Sequence, residues 1–343
     1  MREGKIALVT GTNSNLGLNI CLRLLNEIPA DTNLTLIVTS RTLPRVKEVI
    51  TNIKKYAEQN LSYRTGFLEF DYILVDFTDM ISILTGFYDL NKKYTHLDYV
   101  FVNAAQGVYS GIDWVGACKS IAVNLLDAVT FPTYKIQRVG VKSSDDMGLV
   151  FQGNVFGPYY LIHKITPLLK GGGRVIWISS IMSDPKYLSF DDLQLIKSPE
   201  PYEGSKRLMD LVHVGVYKKW KKQYDISSYV VHPGIFTSFS FFEYLNFITY
   251  YGMMLLFYIA RYSGSTIHNI SGYKAANAPV TAALGSRLQA NKIASSTNRT
   301  GQEFLEEKEI DPTGADDVIA YFDKLTSEWD AKLKDQIKET RVV

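Results

Sequence analysis

The chain of 343 residues is 46% hydrophobic and 21% charged, with a net charge of +2 at neutral pH. This is an ordinary globular composition, with enough material to bury a sizeable core in one large or two smaller α/β domains. Its 37 basic and 35 acidic residues are scattered, which sets nucleic acid aside as a partner. Two cysteines, Cys21 and Cys118, and five histidines without an H-x-x-x-H or Cys/His spacing argue against a disulfide framework and against a metal site.

The N-terminal MREGKIALVT places charges ahead of an apolar run too short for a signal peptide, which points to a chain made in the cytosol. On that reading the sequon Asn298-Arg299-Thr300 stays unmodified. KIALVT (5–10) predicts a strand, followed by a glycine loop and a helix with apolar spacing at Leu18, Cys21, Leu22 and Leu25. LTLIVTSR (34–41) predicts a second strand, and Pro44 opens a helix through Val46, Val49, Ile50 and Ile53. FDYILVDF (70–77), LDYVFVNAA (97–105), GRVIWISS (173–180) and SSYVVHPG (227–234) continue the alternation. Continuous apolar strands between helices predict an α/β fold with a parallel, doubly wound Rossmann-type sheet covered on both faces.

Residues 244–260, YLNFITYYGMMLLFYIA, run for 17 residues without a charge between Glu243 and Arg261. That length is at the lower edge of a membrane span, and Asn246 and Thr249 interrupt it. Three readings compete: a spanning helix, a flap over a substrate pocket, and a flap that also dips into a bilayer surface; the last is preferred. Residues 285–302 read as the most polar, loop-like stretch. Beyond them, apolar residues at 318, 322, 325, 329, 333 and 337 predict an amphipathic helix laid on the core.

The chemistry-bearing residues fall at strand ends. TGTNSNLGL (10–18) has Gly11 and Gly17 with Asn15 between them, and asparagine tolerates positive φ better than other non-glycine residues. A strand–glycine loop–helix unit presents N–H groups to an anion, yet alone it fits a tight turn equally well. Tyr202 and Lys206 are four apart, on one face if helical, and an ammonium near a phenol stabilises its anion. Alone that spacing is more often a surface pair. Together with Asp76, Asn103-Ala104-Ala105 and Ser179-Ser180, all at carboxyl ends of strands, the set points to a ligand site.

Over residues 5–240 the chain resembles the short-chain dehydrogenase/reductase family. The family's T-G-x-x-x-G-x-G loop appears as Thr10-Gly11 to Gly17, with Asn15 replacing the middle glycine, and its N-N-A-G strand end appears as NAAQ (103–106). Its helix asparagine matches Asn154, its serine Ser180, and its Tyr-x-x-x-Lys pair Tyr202 and Lys206. The resemblance implies hydride transfer to a ketone, with Tyr202 as proton donor and Lys206 lowering the phenol pKa and binding the nicotinamide ribose. It implies that Ser180 orients the carbonyl and that Asn154 holds a water reaching Lys206. Thr10, Gly11, Asn13, Asn15, Leu16, Gly17 and Asn103 would form the phosphate loop region, Asp76 would contact adenine, and Pro233 and Thr237 of HPGIFTS would close over the nicotinamide. The second strand ends in Ser40, Arg41 and Thr42 without a carboxylate, which suits a 2′-phosphate and so NADPH.

Asn103 to Asn154 spans 51 residues and Ser180 to Tyr202 spans 22, both longer than is usual in the family. The extra chain, 111–146 and 184–201, falls beside the site and builds a large apolar rim fit for a bulky lipid ketone. Stretches such as WISSIMSDPKYLS and GYKAANAP, through KLKDQIKETR, resemble the fungal reductases of sterol 3-ketones. This implies reduction of a 3-oxo sterol to its 3β-hydroxyl during C-4 demethylation in ergosterol biosynthesis. It implies residence on the cytosolic face of the endoplasmic reticulum membrane and on lipid droplets, near other sterol enzymes, with a homo-oligomer allowed. The alternatives are a reductase of another hydrophobic ketone or aldehyde, such as a retinoid or 3-ketoacyl lipid, and a non-catalytic scaffold. The expected organisation is a cofactor-binding catalytic domain (1–240), an apolar aromatic segment (239–262) and a C-terminal extension (263–343) on the same domain.

Overall fold

The computed structural model describes residues 4–237, 247–285 and 289–336. Its strands are β1 (Lys5–Val9), β2 (Leu34–Ser40), β3 (Leu68–Leu74), β4 (Tyr99–Val102), β5 (Tyr109–Ile112), β6 (Lys135–Gln137), β7 (Arg174–Ile178), β8 (Ser227–His232), β9 (Ile235–Phe236), β10 (His268–Ile270), β11 (Lys292–Thr297) and β12 (Glu303–Lys308). Eight of them form one sheet in the order β3-β2-β1-β4-β7-β8-β11-β12, parallel except for the antiparallel β11–β12 pair. β5–β6 and β9–β10 are separate two-stranded pairs.

The helices are α1 (Asn15–Glu27), α2 (Leu43–Asn60), α3 (Met80–Lys93), α4 (Trp114–Val123), α5 (Leu125–Thr130), α6 (Leu149–Phe151), α7 (Gly157–Leu169), α8 (Pro201–Tyr224), α9 (Phe247–Tyr262), α10 (Gly272–Ala275), α11 (Asn277–Leu284) and α12 (Ala315–Leu333). A π turn over Gln152–Phe156 joins α6 to α7. Neighbouring strand residues feed opposite layers: Leu8, Val100, Val175 and Trp177 pack with α3, α7, α8 and α12, whereas Val9, Phe101, Ile176 and Val231 pack with α1, α2 and α11. Both faces are therefore dry, which is why the strands read as unbroken apolar runs. β1 and β4 run parallel, but strands are added outward in opposite senses on either side of them, and the crevice at their carboxyl ends is the switch point where such sheets hold ligands.

The stretch 285–302 differs from its loop-like reading, because β11 lies inside it and is buried along its whole length beside β8. Its polarity is spent internally. Ser295 Oγ donates to the Ala275 carbonyl at 2.7 Å and accepts from the Ala278 N–H at 2.8 Å, and Thr297 Oγ1 donates to the His268 carbonyl at 3.2 Å. Hydroxyls satisfied in this way are compatible with a buried strand. The stripe of α12 packs as expected through Val318, Phe322, Leu325, Trp329 and Leu333, with Phe322 edge-on to Phe156; residue 337 lies outside the described residues. Among the described residues no helix is long and apolar enough to cross a membrane. α9 buries only Phe257, Ala260 and Arg261, and the buried Arg261 guanidinium pins it to β10 through the His268 and Asn269 carbonyls at 2.9 and 2.6 Å.

Candidate functional site

The glycine loop is tied from below. Thr10 Oγ1 donates to the Phe101 carbonyl and accepts from the Asn103 and Ala104 N–H groups at 2.8 and 2.9 Å. Asn103 Nδ2 donates to the Thr10 and Gly11 carbonyls at 2.9 and 3.1 Å. Gly11 has φ +65°, and a Cβ there would lie 2.8 Å from Ala104 Cα. A Cβ on Gly17 would overlap the Gly11 carbonyl and come within 2.8 Å of Asn103 Nδ2. These two glycines are thus required by close approach of backbone to backbone. Ser14, which sequence reasoning passed over, caps α1 by accepting from the Gly17 N–H at 3.0 Å; a serine just before an apolar helix is the signal that could have shown it.

Asn15 is the first residue of α1, and its backbone is not in the positive-φ region. Asn15 therefore needs no tolerance of positive φ, contrary to the expectation from the loop pattern, and its side chain has a different use. Its Nδ2 donates to the Thr237 carbonyl at 2.6 Å, while its Oδ1 accepts from Asn19 Nδ2 at 2.8 Å. Thr237 in turn donates through its N–H and its hydroxyl to the Ile270 carbonyl at 3.1 and 3.2 Å. The Pro233 carbonyl accepts from Asn269 Nδ2 at 2.7 Å. Leu16 buries its side chain in the layer of α1 and α2.

From this loop a cleft of about 170 Å³ runs across the switch point, lined by Gly11, Asn13, Ser40, Arg41, Asp76 and Asn103 among others. Thr39, Thr78 and Gln106, not anticipated, also line it. β2 ends in Ser40 with exposed Arg41 beyond it; Thr42 starts α2 without capping it through its side chain. Asp76 Oδ1 accepts from the Thr78 N–H and hydroxyl at 2.9 and 2.7 Å, which shapes the turn after β3. The cleft fits a dinucleotide: Gly11 and Arg41 line it, and the 13-residue α1 aims its N-terminus at the loop.

Tyr202 and Lys206 lie one turn apart at the start of α8, with Lys206 Nζ 5.5 Å from the phenol ring centroid. The ammonium donates to the Ile178 carbonyl at 2.8 Å, two residues before Ser180. Burial lowers its pKa to about 8, with the Asp210 carboxylate opposing and Lys292 adding to the fall. Burial first, and then the Glu203 carboxylate, push the Tyr202 phenol up. The expected depression of the phenol by Lys206 is thus not what this site shows; burial outweighs a cation already engaged with a carbonyl. Ser180 Oγ accepts from the Met182 N–H at 3.0 Å.

Asn154 sits in the π turn, fully buried. Its Oδ1 accepts from the Gln106 N–H at 2.8 Å, and its Nδ2 donates to the Gln106 carbonyl at 2.9 Å and to Ser205 Oγ at 3.0 Å. The side chain clamps the loop after β4 to α8 directly. The inserted 111–146 does reach the site. Gln137 Oε1 accepts from the Tyr202 N–H at 3.1 Å, its Nε2 donates to Glu203 at 2.7 Å, and the Tyr109 ring lies 6.1 Å from the Tyr202 ring.

A crevice that fits a dinucleotide, beside a half-buried phenol and a buried ammonium one helical turn apart, defines a nicotinamide-dependent oxidoreductase of the Rossmann type. Residues 5–238 match the short chain dehydrogenase family, and the chain belongs to it. It is 66% identical over 339 residues to the 3-keto-steroid reductase of Debaryomyces hansenii, covering 99% of this chain and 98% of that one. It is 58% identical to the 3-keto-steroid reductase ERG27 of Saccharomyces cerevisiae, covering 98% of each. Among solved structures, the NADPH dependent reductase YwfH of bacilysin biosynthesis superposes with a TM-score of 0.58 at 14% identity, over 87% of this chain and 98% of that one, a likeness of fold.

Proposed function

We infer that this chain is a 3-keto-steroid reductase that uses NADPH to convert a sterol 3-ketone to the 3β-alcohol in C-4 demethylation. The observation that carries the reading is the placement of half-buried Tyr202 and buried Lys206 one turn apart at the start of α8, with the ammonium held by the Ile178 carbonyl at the carboxyl end of β7. Near full-length identity to 3-keto-steroid reductases supports the substrate class. Arg41 at the end of β2, where an NAD-binding chain would place a carboxylate, supports NADPH.

When bound, the nicotinamide supplies the hydride that reduces the carbonyl carbon. The chain supplies the rest. The Tyr202 hydroxyl, kept protonated by burial, gives its proton to the carbonyl oxygen as negative charge develops there. The Lys206 ammonium stabilises the phenolate left behind, and Ser180 donates a hydrogen bond that fixes the carbonyl's direction. Asn154 and Gln137 hold the β4 end and the α8 start in register. One hydride and one proton add across the C=O bond, so the balance closes on the alcohol.

Delivery of an apolar ketone is the second half of the reading. α5 and α9 share a small apolar cluster of Val129, Phe257, Ala260 and Ile270. Around it Val123, Leu126, Phe247, Ile248, Leu255 and Tyr262 remain exposed. Such a surface favours shallow docking on a bilayer. We place the chain peripherally on the endoplasmic reticulum and on lipid droplets, beside other sterol enzymes. The test is incubation of the purified chain with a 3-oxo sterol and NADPH deuterated at the transferring position. Deuterium appearing at C3 supports the reading; cofactor binding without steroid turnover overturns it.

A further inference from the structure

One turn beyond Lys206 on α8, Asp210 is buried to 1% exposure. Its Oδ1 accepts from the Ser179 hydroxyl at 2.6 Å, and its Oδ2 is ion-paired with Lys292, the first residue of β11, 82 positions further along the chain. The same ammonium donates to Ser183 Oγ at 2.5 Å and to the Ser180 carbonyl at 3.2 Å, and lies 3.4 Å from Ser179 Oγ. Ser183 Oγ also donates to the Ser180 carbonyl at 3.2 Å. Every polar bond of the lysine therefore lands on α8 or on the short loop that carries Ser180.

Two charges this deep are not the economical way to fasten a strand to a helix. An apolar pair of similar volume holds such a contact equally well or better, because burying both ions carries a large desolvation cost. β11 is already fixed by its sheet pairing with β8 and β12. What an ammonium adds, and a hydrophobe cannot, is directed donation onto a backbone carbonyl and two hydroxyls at once. The loop that receives this donation is the one bearing the substrate-orienting serine.

The pair also sits within the field of the site. Arg207 and His213 approach it from α8, Lys308 from the end of β12 and His232 from the end of β8, in addition to Lys206 itself. Both histidines are kept neutral by burial. Arg207 is engaged with the Asp311 carbonyl at 2.8 Å.

We propose that Lys292, paired with Asp210, is a positioning residue of the reduction site, holding the Ser180 loop against α8 in fixed relation to Lys206. The proposal rests on the reductase reading above. Three variants test it in the full chain: Lys292→Met, Lys292→Arg, and the double Lys292→Met with Asp210→Asn, which removes both charges and keeps the Ser179 contact. Thermal midpoint, NADPH affinity by fluorescence, kcat and KM for the 3-oxo sterol, and the pH dependence of kcat are measured for each. The double variant is expected to fold and to bind NADPH within about 2-fold of wild type, while kcat drops roughly 10- to 100-fold through misplacement of the serine. Lys292→Arg, which keeps the charge and the donors, recovers part of that loss. In Lys292→Met the uncompensated Asp210 charge favours protonated Lys206, so the limb of kcat that falls as Lys206 loses its proton moves to higher pH. A folded double variant with wild-type kcat overturns the proposal, as does a Lys292→Met that loses thermal stability alone with kcat and its pH limb unmoved. Wild-type turnover in the same assay judges the reductase reading separately, and the variant-to-wild-type ratio judges the role of Lys292.

Discussion

At the switch point between β1 and β4, polar groups are consumed by the protein's own backbone. Thr10 and Asn103 together make six hydrogen bonds to main-chain atoms or from them, and Gly11 and Gly17 leave no room for a side chain. On the substrate side the construction is looser. The β5–β6 pair meets α8 through Gln137 and a ring contact, and α9 is pinned at its end by Arg261 while most of its apolar face stays open. A cofactor that never changes can be met by a scaffold satisfied internally and held to fractions of an ångström. A bulky apolar substrate needs surface that the fold has not already used, and that surface is carried by insertions fastened at a few polar points.

This contrast can be broken from either side, and the effects on turnover should descend in order. Gly17→Ala, which drives a methyl into the Gly11 carbonyl, is expected to weaken NADPH binding roughly 10- to 100-fold through overpacking, read by fluorescence titration. Arg41→Ala should raise KM for NADPH roughly 10-fold or more through loss of a charge-assisted contact. Turnover with NADH should be unchanged, so an equal loss with both cofactors would remove the arginine from the 2′-phosphate. Gln137→Ala should raise KM for the sterol by about 3- to 10-fold with NADPH affinity intact, because only the hairpin's grip on α8 is lost. Ile248→Glu with Leu255→Glu should leave kcat on detergent-dispersed ketone unchanged and reduce co-sedimentation with anionic vesicles; wild-type vesicle binding in that double variant would take α9 out of the docking surface.

The same division governs what could be read without coordinates. Six strands, the switch-point crevice and the α12 stripe were legible because each rests on a local period or on glycines whose reason is steric. β11 was not, since Ser295, Ser296 and Thr297 look like loop residues until their partners in Ala275, Glu306 and His268 are known. Local pattern also misleads at Asn15: the loop needs no positive φ there, and the contact with Thr237 spans 222 residues. Tyr202 and Lys206 were visible as a pair through helical spacing. The Asp210–Lys292 pair behind them was invisible, because nothing local connects the middle of α8 to the start of β11. Residues 239–246, the first part of the aromatic segment read as a flap, lie outside the described residues.

In the proposed mechanism Tyr202 donates the proton to a sterol 3-ketone reduced by NADPH. Tyr202→Phe removes the hydroxyl alone and keeps the ring. The measurement is kcat for a 3-oxo sterol together with NADPH affinity in that variant. A fall in kcat of roughly 100- to 10,000-fold is expected, as for loss of a general acid, with cofactor affinity near wild type. Turnover within a few-fold of wild type would contradict it.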